Sequence, residues 1–589
     1  MIGNCSYAAL IDTSARIVWC CLPRFDGDPV FSALVNGDAA TAENGSGVWA
    51  IDLDGKTASE QAYEPRTAIL KTVLRAPSGA IEISDFAPRF IDRGRAFRPR
   101  TLVRRVRVLS GNPRIRVRIR PHFDAGQAEP KRTRGSNHIR YAGSEMVLRL
   151  TTDAPVDYLL GEQWFNLTGP INMILGPDEP LSASSSQIAR EFEERTSQYW
   201  LSWTGRLALP FEWQQDVMRA AVTLKLCSYE ETGAIIAAAT TSIPEAPNSE
   251  RNWDYRYCWV RDAFFVVRAL NNLAAVRTME NYFSWIMDVV IDAAGDHIQP
   301  VFGIGRERQL TERHAEVLSG YRGMGPVRFG NQAHEHFQYD VYGNVVLGAA
   351  QAFIDCRMFN PAGRNEFACL ETVGDRAFAV YDQPDAGMWE LRSRARVHTS
   401  SSLMCWAACD RLGKLARHMQ LEDRAQIWHD RATRIRDEIL ARSWSDKRQA
   451  FVESFEGEAL DASVLLMAEI GFIEAADPRF VKTVDRIGEV LGDGPHVRRY
   501  EAPDDFGKPE TAFNICAFWR LDALARIGRR DEAREIFEAL LACRNHVGLM
   551  SEDTDPRTGE MWGNLPQTYS MVGIVNSAML LSEPWESVI

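Results

Sequence analysis

Between positions 251 and 262 the chain reads Arg-Asn-Trp-Asp-Tyr-Arg-Tyr-Cys-Trp-Val-Arg-Asp, five charged residues and four large aromatic rings in twelve positions. Charge at that density is costly inside a core unless it is paired, and a solvated face has no use for so many rings. The mixture suits a pocket for a polyhydroxylated ligand. Rings stack on the apolar face of a sugar, while carboxylates and guanidinia bind its hydroxyls in pairs. Trp253, Asp254, Trp259, Arg261 and Asp262 are the candidate substrate-binding residues of this stretch. The plainer alternative is an Arg/Asp/Trp network that pins the start of a helix.

Hydrolysis of a glycosidic bond needs two carboxyl groups. One is protonated and donates to the leaving oxygen; the other is ionised and activates water or attacks carbon. Glu390 lies in Asp-Ala-Gly-Met-Trp-Glu-Leu-Arg, residues 385–392. A tryptophan just before it, Trp389, can exclude water and hold the carboxyl protonated. The alternative is a surface carboxylate paired with Arg392 or Arg394; Arg392 is otherwise a further substrate contact. Glu552 stands in the acidic loop Met-Ser-Glu-Asp-Thr-Asp, residues 550–555. That loop resembles a Ca²⁺ site only superficially, because the spacing and the glycine turn of an EF-hand are missing. Glu510 is expected at a helix N-terminus, where a carboxylate is held as the anion, so capping or a hydroxyl contact suits it better than acid catalysis. Asn564 and Gln567 are hydroxyl ligands or loop braces. His334 and His336 have no HExxH spacing, and no glycine-rich phosphate loop follows a strand, so neither a metal nor a nucleotide cofactor is expected.

These residues need a scaffold. Residues 1–185 show short apolar runs broken by turn residues, which predicts an antiparallel β-sandwich. Within it, Leu102–Val108 and Ile115–Arg120 read as a hairpin across residues 110–113, with Arg116, Arg118 and Arg120 on a solvated face. Residues 186–210 read as a helical linker. From 211 to 589 the apolar period becomes 3.6. Helices are expected near 212–228, 262–275, 278–292, 339–355, 365–380, 399–417, 421–442, 461–472, 478–491, 511–527, 530–544 and 568–582. Sequential pairs of this kind fit a closed double ring or an open solenoid. The long connections between them hold the candidate residues, as expected if the loops gather at one mouth.

The stretch at 251–262, with IGNCSYAALIDTSARIVWCCLPRFDGDPVF, GYRGMGPVRFGNQA, DVYGNV, DAGMWELR, ETAFNICAFW and SEDTDPRTGEMWGNLPQTYS, resembles glycoside hydrolase family fifteen, the glucoamylase and trehalase-like enzymes. The blocks follow the family order from residue 2 to about residue 570. The resemblance implies a multidomain, mainly α protein: the β-sandwich followed by an (α/α)6 barrel. It implies an inverting, exo-acting hydrolase that releases glucose from the non-reducing end of α-glucosides. Glucoamylase-like action on maltooligosaccharides is the leading expectation, and hydrolysis of α,α-trehalose the alternative. It further implies Glu390 as general acid, Glu552 as general base, and Arg261 with Asp262 gripping the terminal glucose, Trp259 nearby and Trp389 packed beside the acid. Two departures bear on substrate: Asn344 where members usually carry Glu, and Lys508 and Thr511 where small residues are usual.

The formal charge of −12 argues against nucleic acid and anionic membranes as partners. No basic start leads into an apolar run, and no apolar stretch is long enough to span a bilayer. Eleven cysteines without CxxC pairs suggest a reducing, cytoplasmic setting. A small oligosaccharide or disaccharide is the expected partner, and a homo-oligomer is compatible with the chain. Two rivals stand against this reading, the first disfavoured because the Glu390 and Glu552 blocks are both present. A phosphorylase of the same plan would need a phosphate site in place of Glu552. A catalytically silent sugar-binding protein would bind without turnover.

Overall fold

The structure, a computed structural model, describes residues 1–37 and 45–588. Its N-terminal part is built from two antiparallel sheets. One runs Ile2–Gly3, Ala8–Ile11, Ile17–Cys21, Val48–Leu53, Arg114–Arg120 and Phe165–Asn166, with Pro29–Phe31 beside Ile17–Cys21. The other runs Lys131–Arg134, His138–Ala142, Val147–Thr152, Ile171–Pro177, Leu102–Gly111, Gly79–Phe86, Leu70–Ala76 and Ala58–Tyr63. Strand Val48–Leu53 shows how the first sheet is used. Trp49, Ile51 and Leu53 enter the core between the sheets, while Val48 and Ala50 on the alternate face join the core of the helical part. Both faces are therefore apolar, as a sheet buried on both sides requires.

The hairpin expected across residues 110–113 is not formed. Leu102–Gly111 pairs with Gly79–Phe86 and Ile171–Pro177, whereas Arg114–Arg120 pairs with Val48–Leu53 in the opposite sheet. The connection therefore crosses the sandwich. A period of two identifies a strand with one core-facing side but not the sheet it joins. Nor is the arginine face simply solvated. Asp52 accepts hydrogen bonds from Arg116 at 3.1 Å and Arg118 at 2.7 Å, and Glu162 accepts one from Arg120 at 2.7 Å.

A short helix, α1 (Val156–Leu160), lies within the sandwich part, and α2 (Ser185–Thr204) forms the expected connector. Its Ile188 and Ala189 cover Phe86, Val103 and Ile174 on the outer face of the second sheet. The barrel helices follow as α3 (Gln214–Leu226), α4 (Val260–Asn272), α5 (Val276–Ala293), α6 (Asp340–Ala350), α7 (Arg364–Val380), α8 (Thr399–His418), α9 (Glu422–Arg442), α10 (Leu466–Glu469), α11 (Pro478–Val490), α12 (Asn514–Arg526), α13 (Arg530–Ala542) and α14 (Thr568–Leu581). Helices α4, α6 and α8 pack in that order, the 3₁₀ turn Ala462–Leu465 carries the ring from α8 to α10 and α12, and α14 packs on α12 and closes on α4; α3, α5, α7, α9, α11 and α13 lie outside them. The closed ring, rather than the solenoid, is the observed architecture.

The two rings differ as burial demands. Outer helix α11 buries one stripe, Phe480, Thr483, Val484 and Ile487, and starts where Asp477 caps the Arg479 N–H with Pro478 in the first turn. Inner helices α12 and α14 are buried nearly all round. Two expected helices are trimmed at their N-terminal ends. The span 461–472 is a 3₁₀ turn, Ala462–Leu465, running into α10, because the Asp461 carboxylate accepts the Ser463 N–H and hydroxyl and tightens the turn. The span from 511 becomes helical only at Asn514, because Ala512–Phe513 pair as a strand with Asp553–Thr554.

Candidate active site

The N-terminal ends of the inner helices open into one cleft. Arg261 and Asp262 begin α4, Phe513 precedes α12, and Gln567 and Tyr569 begin α14. The loops leading to α6, α8 and α12 add His336, residues 388–392 and residues 499–506. The expectation that long loops gather at one mouth describes this cleft.

Glu390 is held in an unusual conformation, with φ at +62°. A non-glycine residue pays about 1–3 kcal/mol for such a backbone and keeps it only where the surroundings impose it. Here the surroundings are explicit. Asp385, at the start of the loop, accepts hydrogen bonds from the Tyr339 N–H at 2.8 Å and the Ser401 hydroxyl at 2.6 Å, and pairs with His398 Nδ1 at 2.8 Å. Gly387 passes over His398 so closely that a Cβ would stand 2.8 Å from its ring, and its own φ is +66°. The Trp259 Nε1–H donates to Glu390 Oε1 at 2.6 Å.

The expected shielding of Glu390 by Trp389 is not what the structure shows. The Trp389 indole turns into the wall, donates to Asp461 at 2.7 Å and packs on Tyr500, Phe513 and Trp519. The Glu390 side chain keeps 22% exposure. The indole that holds it comes from the 251–262 stretch instead.

Glu552, by contrast, is buried, at 2% exposure. Its backbone N–H donates to Asn564 O and its carbonyl accepts from Asn514 N–H, which fixes it at the end of a small three-stranded sheet. Oε1 accepts from the Tyr255 hydroxyl at 2.9 Å and from Arg499 at 3.3 Å. Oε2 has no hydrogen-bond partner among the described residues. Gly563 lies against it, and a Cβ there would meet the Glu552 carboxylate at 2.8 Å. Burial pushes the Glu552 pKa well above the usual range. Glu245 and Asp553 add to this, while Arg499 and the Tyr255 hydroxyl oppose it.

Glu390 and Glu552 are thus bound to two different rings, Trp259 and Tyr255, whose centroids are 5.3 Å apart in an edge contact. Arg261 links the floor to the first of them. It donates to Met388 O at 2.8 Å and lies 3.4 Å from Asp262 and 3.8 Å from Glu390. Burial raises the Asp262 pKa to about 6 against the pull of Arg261. Asp262 Oδ2, ion-paired with Arg261 Nε, has no hydrogen-bond partner among the described residues, so it can accept a hydroxyl.

Other predicted residues divide. Trp253 and Arg392 line the rim, with the guanidinium 4.4 Å above the indole. Gln567 lines the cleft while its Oε1 caps α14 through the Ser570 N–H. Asn564 is a brace: its amide spans Thr240 at 2.8 Å and the Trp253 carbonyl at 2.9 Å. Asp254 is a correction. It is fully buried behind the wall, bonded to Arg256 at 2.7 and 2.8 Å and to the Gly330 N–H, so for this residue the network reading holds. Glu510 is another. It is exposed, stands outside the cleft and does not begin a helix, because residues 512 and 513 pair as a strand first. The acidic loop is consumed by ion pairs, Asp553 with Arg499 and Asp555 with Arg557. Among the described residues no group of three or more His, Cys, Asp or Glu side chains is arranged to hold a metal.

Of the departures, Asn344 lies beneath Arg261, donating to the Asp340 carboxylate at 3.0 Å, and Thr511 donates to the Glu245 carbonyl at 2.8 Å. Lys508 is exposed beside Glu510. Sequence reasoning did not single out four side chains that the structure gathers around Glu552: Tyr255, Glu245, Arg499 and Asp553. Tyr255 was within the aromatic stretch. Glu245 and Arg499 carried no local pattern that could have singled them out.

Residues 213–579 match the family described as glycosyl hydrolases family 15, and residues 1–161 match the family described as trehalase-like, N-terminal. A trehalase of Mycolicibacterium smegmatis is 31% identical across 98% of this chain and 90% of its own length. A trehalase of Mycobacterium tuberculosis is 31% identical across 97% and 87%, and one of Thermoplasma volcanium 28% across 99% and 93%. A bacterial glucoamylase solved in complex with acarbose shares the fold, with a TM-score of 0.72 at 12% identity over 98% of this chain and 93% of that one.

Proposed function

The chain belongs to glycosyl hydrolases family 15, and on that footing we propose that it is an inverting trehalase, which hydrolyses α,α-trehalose to two glucose molecules. The order of the two substrate expectations is thereby reversed. The full-length relatives named trehalase support the disaccharide over maltooligosaccharides. The observation that carries the chemistry is the pair of carboxylates in one cleft, each with one oxygen oriented by an aromatic donor.

Glu390 donates its proton to the bridging oxygen as the bond to the anomeric carbon breaks, and one glucose leaves. Water adds to the opposite face of that carbon, and Glu552 Oε2, the oxygen with no partner, takes the water's proton. Arg261 and Asp262 hold the hydroxyls of the ring being attacked. In inversion the water sits between base and sugar, and carboxyl separations of roughly 6.5–9.5 Å accommodate it. Eight of the eleven cysteines are buried as free thiols, which supports a reducing, cytoplasmic compartment.

The test is a panel of trehalose, maltose, isomaltose and maltotriose, followed by NMR of the first product. Trehalose is expected to be the best substrate, with β-glucose appearing alongside α-glucose before mutarotation. Glu552→Gln is expected to abolish turnover, and Glu390→Gln to spare activated glucosyl fluoride most. Release of α-glucose alone overturns inversion; a preference for maltotriose overturns the substrate.

A further inference from the structure

We propose that Glu245 is a positioning residue of the base: it holds Arg499 away from Glu552 and so keeps Glu552 a strong proton acceptor. This rests on Glu552 being the base. Arg499 sits among three buried acids. Its Nη1 donates to Glu245 Oε2 at 2.7 Å, and its Nη2 reaches Asp553 at 2.9 Å and Glu552 only at 3.3 Å. Glu245, Glu552 and Asp553 are 5%, 2% and 1% exposed, so bulk solvent screens them little. Among the described residues Arg499 is the only guanidinium hydrogen-bonded to these acids, and Arg251 acts on them at longer range. One bonded guanidinium cannot fully compensate three carboxylates in such a space. The division of its contacts therefore decides which acid is most basic.

Glu245 is placed for this and not for the base's own work. Its second oxygen accepts the Trp253 Nε1–H at 3.1 Å, so both oxygens are committed. Its backbone is braced on either side, its carbonyl by the Thr511 hydroxyl and its N–H by the Arg251 carbonyl. Glu552 keeps the unpartnered oxygen. The groups facing Glu552 are Glu245 and Asp553, which make its ionisation harder, and Arg499 and Tyr255, which make it easier. Asp553 is itself pushed up to about 8, by burial first, with Glu245 adding to the rise and Arg499 and Arg251 opposing. A carboxylate whose charged form is costly takes a proton from water more readily, and the same cost lifts the acid limb of the rate profile.

The experiment is the pH dependence of kcat/KM on the best disaccharide, from about pH 4 to 9, for the wild type, Glu245→Gln, Glu245→Asp and Asp553→Asn. Neutralising Glu245 is expected to move the acid limb down by about one pH unit and to lower the plateau kcat several-fold, as a weaker base demands. Glu245→Asp keeps the charge and is expected to leave the limb in place. An unmoved limb in a folded Glu245→Gln protein overturns the proposal. If that variant does not fold, Asp553→Asn tests the same trio: a downward shift supports it and an unmoved limb overturns it. The base assignment fails separately, if Glu552→Gln still hydrolyses the substrate.

Discussion

At the scale of residues, each carboxyl has one oxygen oriented by an aromatic donor, Trp259 for Glu390 and Tyr255 for Glu552. Trp259 serves Glu390 with one hydrogen bond, at 2.6 Å, and also closes the wall against Tyr255. The two roles separate in Trp259→Phe, which keeps a ring and loses the N–H. A hydrogen bond to a charged or acidic partner contributes about 1.5–3 kcal/mol, so kcat on trehalose should fall by roughly ten- to a hundred-fold. The loss should be smaller for glucosyl fluoride, whose leaving group needs little protonation, and the melting temperature should fall modestly, because Trp259 is buried and the smaller ring leaves a cavity. Steady-state kinetics on both substrates checks this; equal losses would assign Trp259 a role in binding rather than in aiming the acid.

At the scale of elements, the loop that carries Glu390 is tied at both ends. Asp385 anchors its start to α6 and α8. Beyond Glu390, the Arg392 and Ser393 backbone N–H groups donate to the Asp505 carboxylate at 2.7 and 3.1 Å, and the Ser393 hydroxyl does the same. Asp504, next to it, pairs with Arg251, so the rim formed by residues 499–506 grips two other segments at once. Asp505→Ala removes the clamp from an exposed position and should leave stability nearly unchanged. Glu390 would then sample more positions, and loss of a fixed geometry is expensive for catalysis. kcat should drop about tenfold with KM rising, and restoring the carboxylate with Asp505→Glu should recover part of it. Unchanged kinetics would show that Asp385 and the packing of Trp389 suffice.

At the scale of the molecule, the sandwich and the barrel share a core. Met1, Leu10, Trp19, Cys21, Val48 and Ala50 belong to the same apolar cluster as the inner helices. Polar contacts cross the same seam: the Trp19 indole donates to Ala239 O at 2.7 Å, Arg256 to Gly27 O at 2.6 Å and Arg89 to Glu230 at 2.6 Å. Arg256 in turn holds Asp254, immediately before Tyr255. A barrel fragment beginning near residue 205 should therefore express poorly or aggregate, because it exposes an apolar face and strands buried charges. Soluble expression with full activity would show that the seam is dispensable.

The helical period placed the barrel helices closely because each must bury a stripe or a whole surface, and burial leaves its mark on every turn of the chain. The two glutamates were singled out mainly by the family resemblance, with Trp389 and the acidic loop at 550–555 as local support, and both line the one cleft. What lies between elements was not legible. A strand alternates in the same way whichever sheet it joins, so the connection at residues 110–113 read as a hairpin until the pairing was seen. Asp254 and Glu510 have the chemistry of ligands, yet one is spent on Arg256 and the other stands in solvent. Glu245 shows no local pattern at all. Its partner Arg499 is 254 positions away, and Tyr255 meets Glu552 across 297. Which carboxylate loses its water, and which guanidinium offsets it, depends on the whole surrounding volume, and only the tertiary structure assembles that volume.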